Sequence, residues 1–223
     1  MPVKSAKNGI FITFEGGEGA GKSSQINTLN DKLNNLNYIT LLTREPGGTA
    51  GAEAIRHVIL SGGAEKLGAD IEAMLFSAAR SDHVDNVIRP ALEAGKTVLC
   101  DRFFDSTRVY QGATGKVDMD LLYSLEKVAC GDVWPDLTLI LDISAEEGMK
   151  RANARRDNQV EPDRFEKEDM AAQEMRREAF RLIAENEPKR CALINASGTE
   201  KQVAKRIWKV VKPLLDRKSA QNG

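Results

Sequence analysis

Gly16-Gly17-Glu18-Gly19-Ala20-Gly21-Lys22-Ser23 is the stretch whose reading decides the fold. It satisfies G-x-x-x-x-G-K-[ST]. The β-rich run Ile10–Phe14 precedes it, and Ile26, Leu29, Leu33 and Leu36 follow as one apolar stripe. That spacing predicts a helix over Ser23–Leu36. Strand, glycine-rich turn and helix in this order make a phosphate loop. The glycines let successive backbone N–H groups turn inward around phosphate oxygens. The helix N-terminus adds its partial positive charge. Lys22 then reaches the β and γ phosphates, and Ser23 is placed to ligate Mg²⁺. A chance match in a chain of this length is on the order of one in a hundred. The competing reading is a glycine-rich turn carrying an exposed lysine.

Working outward, four more β-rich runs occur at Tyr38–Thr43, Thr97–Cys100, Leu137–Asp142 and Cys191–Asn195. Helical patterns separate them, at about Ala50–Leu60, Ala69–Ala94, Met119–Cys130, Ser144–Arg155, Arg164–Glu185 and Lys201–Leu215. Pro90 should kink or break the longest. Strands alternating with helices imply βαβ units and a mainly parallel sheet. The fold class is therefore α/β. Leu137-Thr138-Leu139-Ile140-Leu141 suits a strand buried on both faces. The polar segment Arg156–Asp163 reads as a loop, and the tail after Asp216 is expected to fray.

The 223 residues suit a single domain. Basic and acidic residues number 32 and 33, so the net charge is −1. Such a chain is not built to coat nucleic acid or an anionic membrane. Any anionic ligand must be met by local clusters of Arg and Lys. No apolar run approaches the ~18 residues of a membrane span. Cys100, Cys130 and Cys191 are odd in number and widely spaced, which argues against a disulfide scaffold and a zinc ribbon. The expected location is the cytoplasm.

A phosphate loop does not name a reaction. A guanine-nucleotide switch would carry N-K-x-D and D-x-x-G, and neither occurs. Two further clusters lie just past strands, where ligand crevices form in open α/β sheets. In Val98-Leu99-Cys100-Asp101-Arg102 the acid is placed to hold Mg²⁺ or its water shell, and the base to clamp a second phosphate. A salt bridge between neighbours is the alternative. In Thr43-Arg44-Glu45-Pro46-Gly47-Gly48-Thr49, Arg44 points a bidentate donor at the same rim. That loop also reads as merely structural.

Taken together, these residues resemble the thymidylate kinase family. Four features carry the resemblance: Phe14-Glu15-Gly16 leading into the phosphate loop; Thr43 to Thr49; Leu75-Phe76-Ser77-Ala78-Ala79-Arg80; and Asp101-Arg102-Phe103 with Ser106 and Tyr110-Gln111-Gly112. It spans about Ile10 to Leu215. It implies a three-layer α/β/α fold with a five-stranded parallel sheet, helices on both faces and a mobile lid, here about 151–166. It implies transfer of phosphate from ATP to dTMP with Mg²⁺, giving the dTDP used to make dTTP. Carried across, the loop from Gly16 to Ser23 binds ATP, while Ser23 and Asp101 are the metal residues. Arg44 and Arg102 resemble the donors to the dTMP phosphate. Phe76 resembles the ring that stacks on thymine, and Arg80 the donor to its carbonyl. Glu18 resembles the carboxylate that reads the sugar 3′-hydroxyl. Ser106, Tyr110 and Gln111 match positions lining the nucleoside pocket. Read without the family, Phe76 is core and Arg80 part of a solvated helix face.

Some family members carry an arginine inside the phosphate loop, where this chain has Gly19. Arg151, Arg155 and Arg156 flank the predicted loop instead. Arg151 and Arg155 are spaced i, i+4 and share a helix face. This resembles the bacterial arrangement, with Arg155 supplying the catalytic charge beside Lys22 and Arg102, and Arg151 nearer the adenine. An exposed basic helix end is the alternative. Asp163-Arg164-Phe165-Glu166 would close the lid, and Ala196-Ser197-Gly198-Thr199 would brush the adenine or cap the last helix. His57 and His83 read as ordinary residues. The resemblance also implies a homodimer, with the long Ala69–Ala94 helix contributing.

Overall fold

The computed structural model describes residues 9–155 and 170–222. Five parallel strands form one sheet: β1 (Ile10–Glu15), β2 (Thr40–Arg44), β3 (Thr97–Asp101), β4 (Leu137–Asp142) and β5 (Cys191–Asn195). Their order is β2-β3-β1-β4-β5. β1 is central, and all six of its residues are buried. Alternate side chains serve the two faces, as the period of two requires. Ile10, Ile12 and Phe14 join the core under α1 (Lys22–Asn35) and α9 (Glu200–Asn222), with Leu29, Leu33, Ile207 and Val211. Phe11 points the other way, to Val84, Ile88, Leu92, Phe103 and Phe104.

The chain leaves β1 for β2 and β3 on one side, and later builds β4 and β5 on the other. β1 is thus the point where strand order reverses, and ligand crevices lie at the carboxyl ends beside such a point. Register aligns that rim. Phe14 and Arg44 both stand opposite Asp101, and Glu15 stands opposite Ile140.

Several helices match the sequence reading. These are α2 (Ala50–Leu60), α6 (Met119–Cys130) and α7 (Ala145–Arg155). Thr49 caps α2 by accepting the Ala52 N–H at 3.0 Å, and Asp118 caps α6. The long helix differs in where it deforms. α3 (Ala69–His83) passes into a π turn at Val84–Ile88 and then α4 (Arg89–Glu93). The Arg89 N–H donates to the Val84 carbonyl, five residues back. Pro90 has no N–H and its ring crowds the preceding turn, so the disturbance falls before the proline.

Two further corrections concern helices. After β3 the chain forms α5 (Phe104–Thr107) and a π-helical segment over Arg108–Thr114. The sequence pattern had not marked this helix. At the end of the chain, α9 runs to Asn222 instead of fraying after Asp216. Lys218 ties its last turns to Asp136 at 3.2 Å. α8 (Met170–Asn186) covers the described part of the helix expected at Arg164–Glu185. Among the described residues no helix is long and apolar enough to cross a membrane.

Candidate active site

The phosphate loop joins β1 to α1. Gly16, Gly19 and Gly21 have φ of 131°, 68° and 90°, which only glycine adopts at little cost. Lys22 is 8% exposed, and its ammonium donates to the carbonyls of Gly16 at 3.0 Å and Gly17 at 2.9 Å. Burial, and then the neighbouring Arg102, pull its pKa down to about 8 against Asp101, Glu18 and Glu15. Ser23 Oγ donates to Asp101 Oδ2 at 3.0 Å, so the hydroxyl and carboxylate named from sequence do meet. Mg²⁺ favours hard oxygens and is held by one or two carboxylates plus substrate phosphates. The Ser23 and Asp101 oxygens fit that demand.

Two cavities open on this rim. One is lined by Gly19, Gly21, Lys22, Ser23, Arg44, Asp101 and Arg102. The other is lined by Phe76, Arg80, Ser106, Tyr110 and Gln111, with Pro46 and Leu60. Glu18, Glu45, Arg56 and Arg102 line both. Every residue expected at the nucleoside pocket is therefore brought together. Arg44 lines only the phosphate-loop cavity. It is half-exposed, and its Nη2 donates to Glu53 at 2.9 Å. Glu53 also accepts the Gly48 N–H at 3.1 Å, which pulls its carboxyl below the ordinary range.

Arg80 is 2% exposed, so it is no solvated face. Its Nε donates to Glu45 Oε2 at 2.7 Å and its Nη2 to Thr107 Oγ1 at 3.1 Å. Glu45 Oε1 lies 3.1 Å from His83 Nδ1, and His83 Nε2 lies 2.6 Å from Thr43 Oγ1. A buried charge needs such partners. Gln111 Nε2 donates to Glu72 at 2.6 Å, which fixes the direction of its amide. The Arg102 guanidinium sits 5.1 Å from the Tyr110 ring centroid, and Arg176 from α8 sits 4.3 Å from the same ring.

On the other side of the phosphate loop, Arg151 shares a groove with Gly19, Ala20, Gly21, Gln25, Ala196 and Gly198. It donates to the Ala196 carbonyl at 3.1 Å and to Glu147 at 2.5 Å. The Ala196–Thr199 turn thus stands beside it. Arg155 ends α7; its side chain, Arg156 and the 163–166 motif lie outside the described residues.

A family model described as thymidylate kinase matches residues 14–207. The chain belongs to the thymidylate kinase family. A thymidylate kinase of Bradyrhizobium sp. (strain ORS 278) is 54% identical over 207 residues, covering 93% of this chain and 91% of the relative. One of Rhodopseudomonas palustris (strain TIE-1) is 54% identical over 212 residues, covering 95% and 92%. Among solved structures, the thymidylate kinase of Ehrlichia chaffeensis superposes with a TM-score of 0.72 at 33% identity. That match covers 91% of this chain and 98% of the other.

Sequence reasoning missed Glu45, His83, Thr107, Glu72 and Arg56 as neighbours of this site. His83 had read as an ordinary surface or core residue with no partner named; it lies in the core, partnered by Glu45 and Thr43. A signal existed for it: His83 follows Arg80 by three residues and so shares its helix face.

Proposed function

We propose that the protein transfers the γ-phosphoryl group of ATP to dTMP, giving ADP and dTDP. One observation carries the reading: the phosphate-loop cavity and the nucleoside cavity share Glu18 and Arg102. A group moving between two bound nucleotides must cross that junction.

Phosphoryl transfer asks for positioning and positive charge more than covalent chemistry. The loop N–H groups and Lys22 hold the β and γ phosphates. Arg44 and Arg102 hold the acceptor phosphate in line. Phe76 stacks on the base, Arg80 donates to its carbonyl, and Ser106, Tyr110 and Gln111 line the remaining wall. Tyr110 crowds the place of a ribose 2′-hydroxyl, and Glu18 reads the 3′-hydroxyl. Arg151 lies along the adenine, and Arg155 brings the transition-state charge. No strong base is required, because the acceptor phosphate is already ionised. Ser23 and Asp101 would hold Mg²⁺ together with the ATP phosphates, and the ion would supply positive charge to offset that of the phosphoryl group.

The test is product identification by ³¹P NMR after mixing Mg²⁺-ATP and dTMP. dTDP and ADP should form in equal amounts, and Lys22→Ala should abolish both while keeping a cooperative unfolding transition. Transfer to thymidine, or undiminished transfer by Lys22→Ala, would contradict the reading.

The same proposal includes a homodimer. Val58 on α2, Ile71 and Met74 on α3 and Val128 on α6 are exposed apolar side chains, and these three helices pack side by side. It also includes a cytoplasmic location, supported by three free, buried cysteines.

A further inference from the structure

Glu15 ends the central strand and belongs to the Phe14-Glu15-Gly16 motif, yet the mechanism above gives it no role. It is a fully buried carboxylate. Its Oε1 accepts the Phe103 N–H at 2.7 Å and the Ser106 N–H at 3.2 Å. Its Oε2 accepts the Ser106 hydroxyl at 2.6 Å. That same hydroxyl oxygen accepts Arg102 Nη1 at 3.1 Å. Arg102 itself has φ of 68°, a left-handed conformation costly for a side chain with a Cβ. The Arg102 N–H is held by the Phe14 carbonyl at 2.9 Å. A strained residue persists where its surroundings over-determine it. Here one end of β1 grips Arg102 from its backbone, from the next N–H and, through Ser106, from its guanidinium.

We propose that Glu15 is a positioning residue of the transfer reaction, fixing the Arg102 guanidinium through the Ser106 hydroxyl and the Arg102 backbone through the Phe103 N–H. The proposal rests on the reading of Arg102 as the clamp on the acceptor phosphate. A neutral amide at position 15 keeps an acceptor for the two N–H groups. It presents donors where the Ser106 hydroxyl needs an acceptor, and it removes the negative field that steadies the guanidinium.

Burial, and next the charge of Asp105, push the Glu15 pKa up to about 7, against Arg102, Ser106 and Phe103. Lys22 and Cys100 also feel its charge. The ionised form makes the contacts described, so clamping should weaken as pH falls through about 7. The second ionisation of the dTMP phosphate adds a separate limb that no substitution here removes.

The experiment compares wild type, Glu15→Gln, Ser106→Ala, the double variant and Arg102→Ala in steady-state assays from pH 5.5 to 8.5. Glu15→Gln should lower kcat/KM for dTMP by about tenfold to a hundredfold, the loss of one charge-assisted hydrogen bond. KM for ATP should change less than about twofold. The limb near pH 7 should vanish from its profile, leaving that of dTMP. Glu15→Gln should cost much less in the Ser106→Ala background, because the two act in one chain. If Glu15→Gln does not fold, the pH profile of Ser106→Ala decides: the variant removes the relay and keeps the carboxylate and both backbone bonds, so the limb near pH 7 should flatten, which loss of a pocket-wall contact alone would not cause. Unchanged kcat/KM for dTMP in either variant, with Arg102→Ala impaired, overturns the proposal and spares the reading of Arg102. Unchanged kinetics in Arg102→Ala overturns both.

Discussion

Gly148 lies in the first turns of α7 and touches the phosphate loop, so Gly148→Ala is a sharp probe of how the two are held. A Cβ added there would stand 2.5 Å from the Glu18 carbonyl oxygen. Ordinary contact begins near 3.4 Å, so the loop or the helix must give by about 0.9 Å. Overpacking of this kind costs ~1–3 kcal/mol. Replacing a helical glycine by alanine returns about 1 kcal/mol. The net is a loss of about 1 kcal/mol, or a Tm lower by roughly 2–4 °C for a chain of this size. The kinetic effect should be larger than the thermal one. A displacement near 1 Å at the reacting groups costs up to about a hundredfold. We expect kcat to fall by about tenfold to a hundredfold, with KM for dTMP nearly unchanged. Thermal unfolding by circular dichroism and a coupled ADP assay measure the two. A raised Tm with normal kcat would refute the close contact. The reciprocal site is harsher. A Cβ on Gly19 would meet the Gly148 carbonyl oxygen at 1.9 Å, at a φ of 68°. Position 19 thus has no room for the arginine that some family members carry in the loop.

Other outcomes follow from the site and from the proposed roles of its residues. Burial holds the Lys22 pKa down at about 8, and bound phosphates should restore its charge; ATP binding should take up more protons at pH 8 than at pH 6.5, read by calorimetry in buffers of different ionisation enthalpy. Buffer-independent heats at pH 8 would contradict the buried lysine. Glu45→Ala leaves the buried Arg80 without its carboxylate, which should cost ~3–5 kcal/mol and lower Tm by about 10 °C or more. A shift of only a degree or two would mean that Arg80 finds another partner. Arg155→Ala should lower kcat by roughly 10³-fold with modest change in KM, the scale of an arginine finger. An effect confined to KM would move that role to another residue. Val128, 80% exposed, tests the proposed dimer: Val128→Glu should shift sedimentation toward the monomer at micromolar concentration, and an unaltered profile would exclude α6 from such an interface.

The sheet was legible because parallel strands are buried on both faces and read as short apolar runs. Leu137–Asp142 and Cys191–Asn195 were found at their observed bounds, as were α2 and α6, whose N-caps Thr49 and Asp118 mark their starts. The π-helical turns at Val84–Ile88 and Arg108–Thr114 were not legible. No residue preference announces a bond five residues back, and Pro90 signals a disturbance without saying on which side. In the site, the residues proposed to meet a ligand stood out through their motifs. Residues that hold them did not. Glu45 orients Arg80, His83 orients Glu45, and Glu15 orients Ser106, through contacts 35, 38 and 91 residues apart in sequence. Such pairings exist only once the sheet brings the carboxyl ends of β1, β2 and β3 together. The last turns of α9 were misread for a similar reason, since Asp136, which holds Lys218, is remote in sequence.

On the proposed function, the two cavities sharing Glu18 and Arg102 take ATP and dTMP together. The most direct measurement is the initial rate of ADP release from Mg²⁺-ATP with dTMP, dUMP, CMP, AMP, GMP and thymidine offered one at a time. Release should be fast with dTMP, slight with the ribonucleotides and absent with thymidine. Equal slow release with every acceptor and with none would contradict it, and the roles given to Arg44, Phe76 and Arg102 would fall with it.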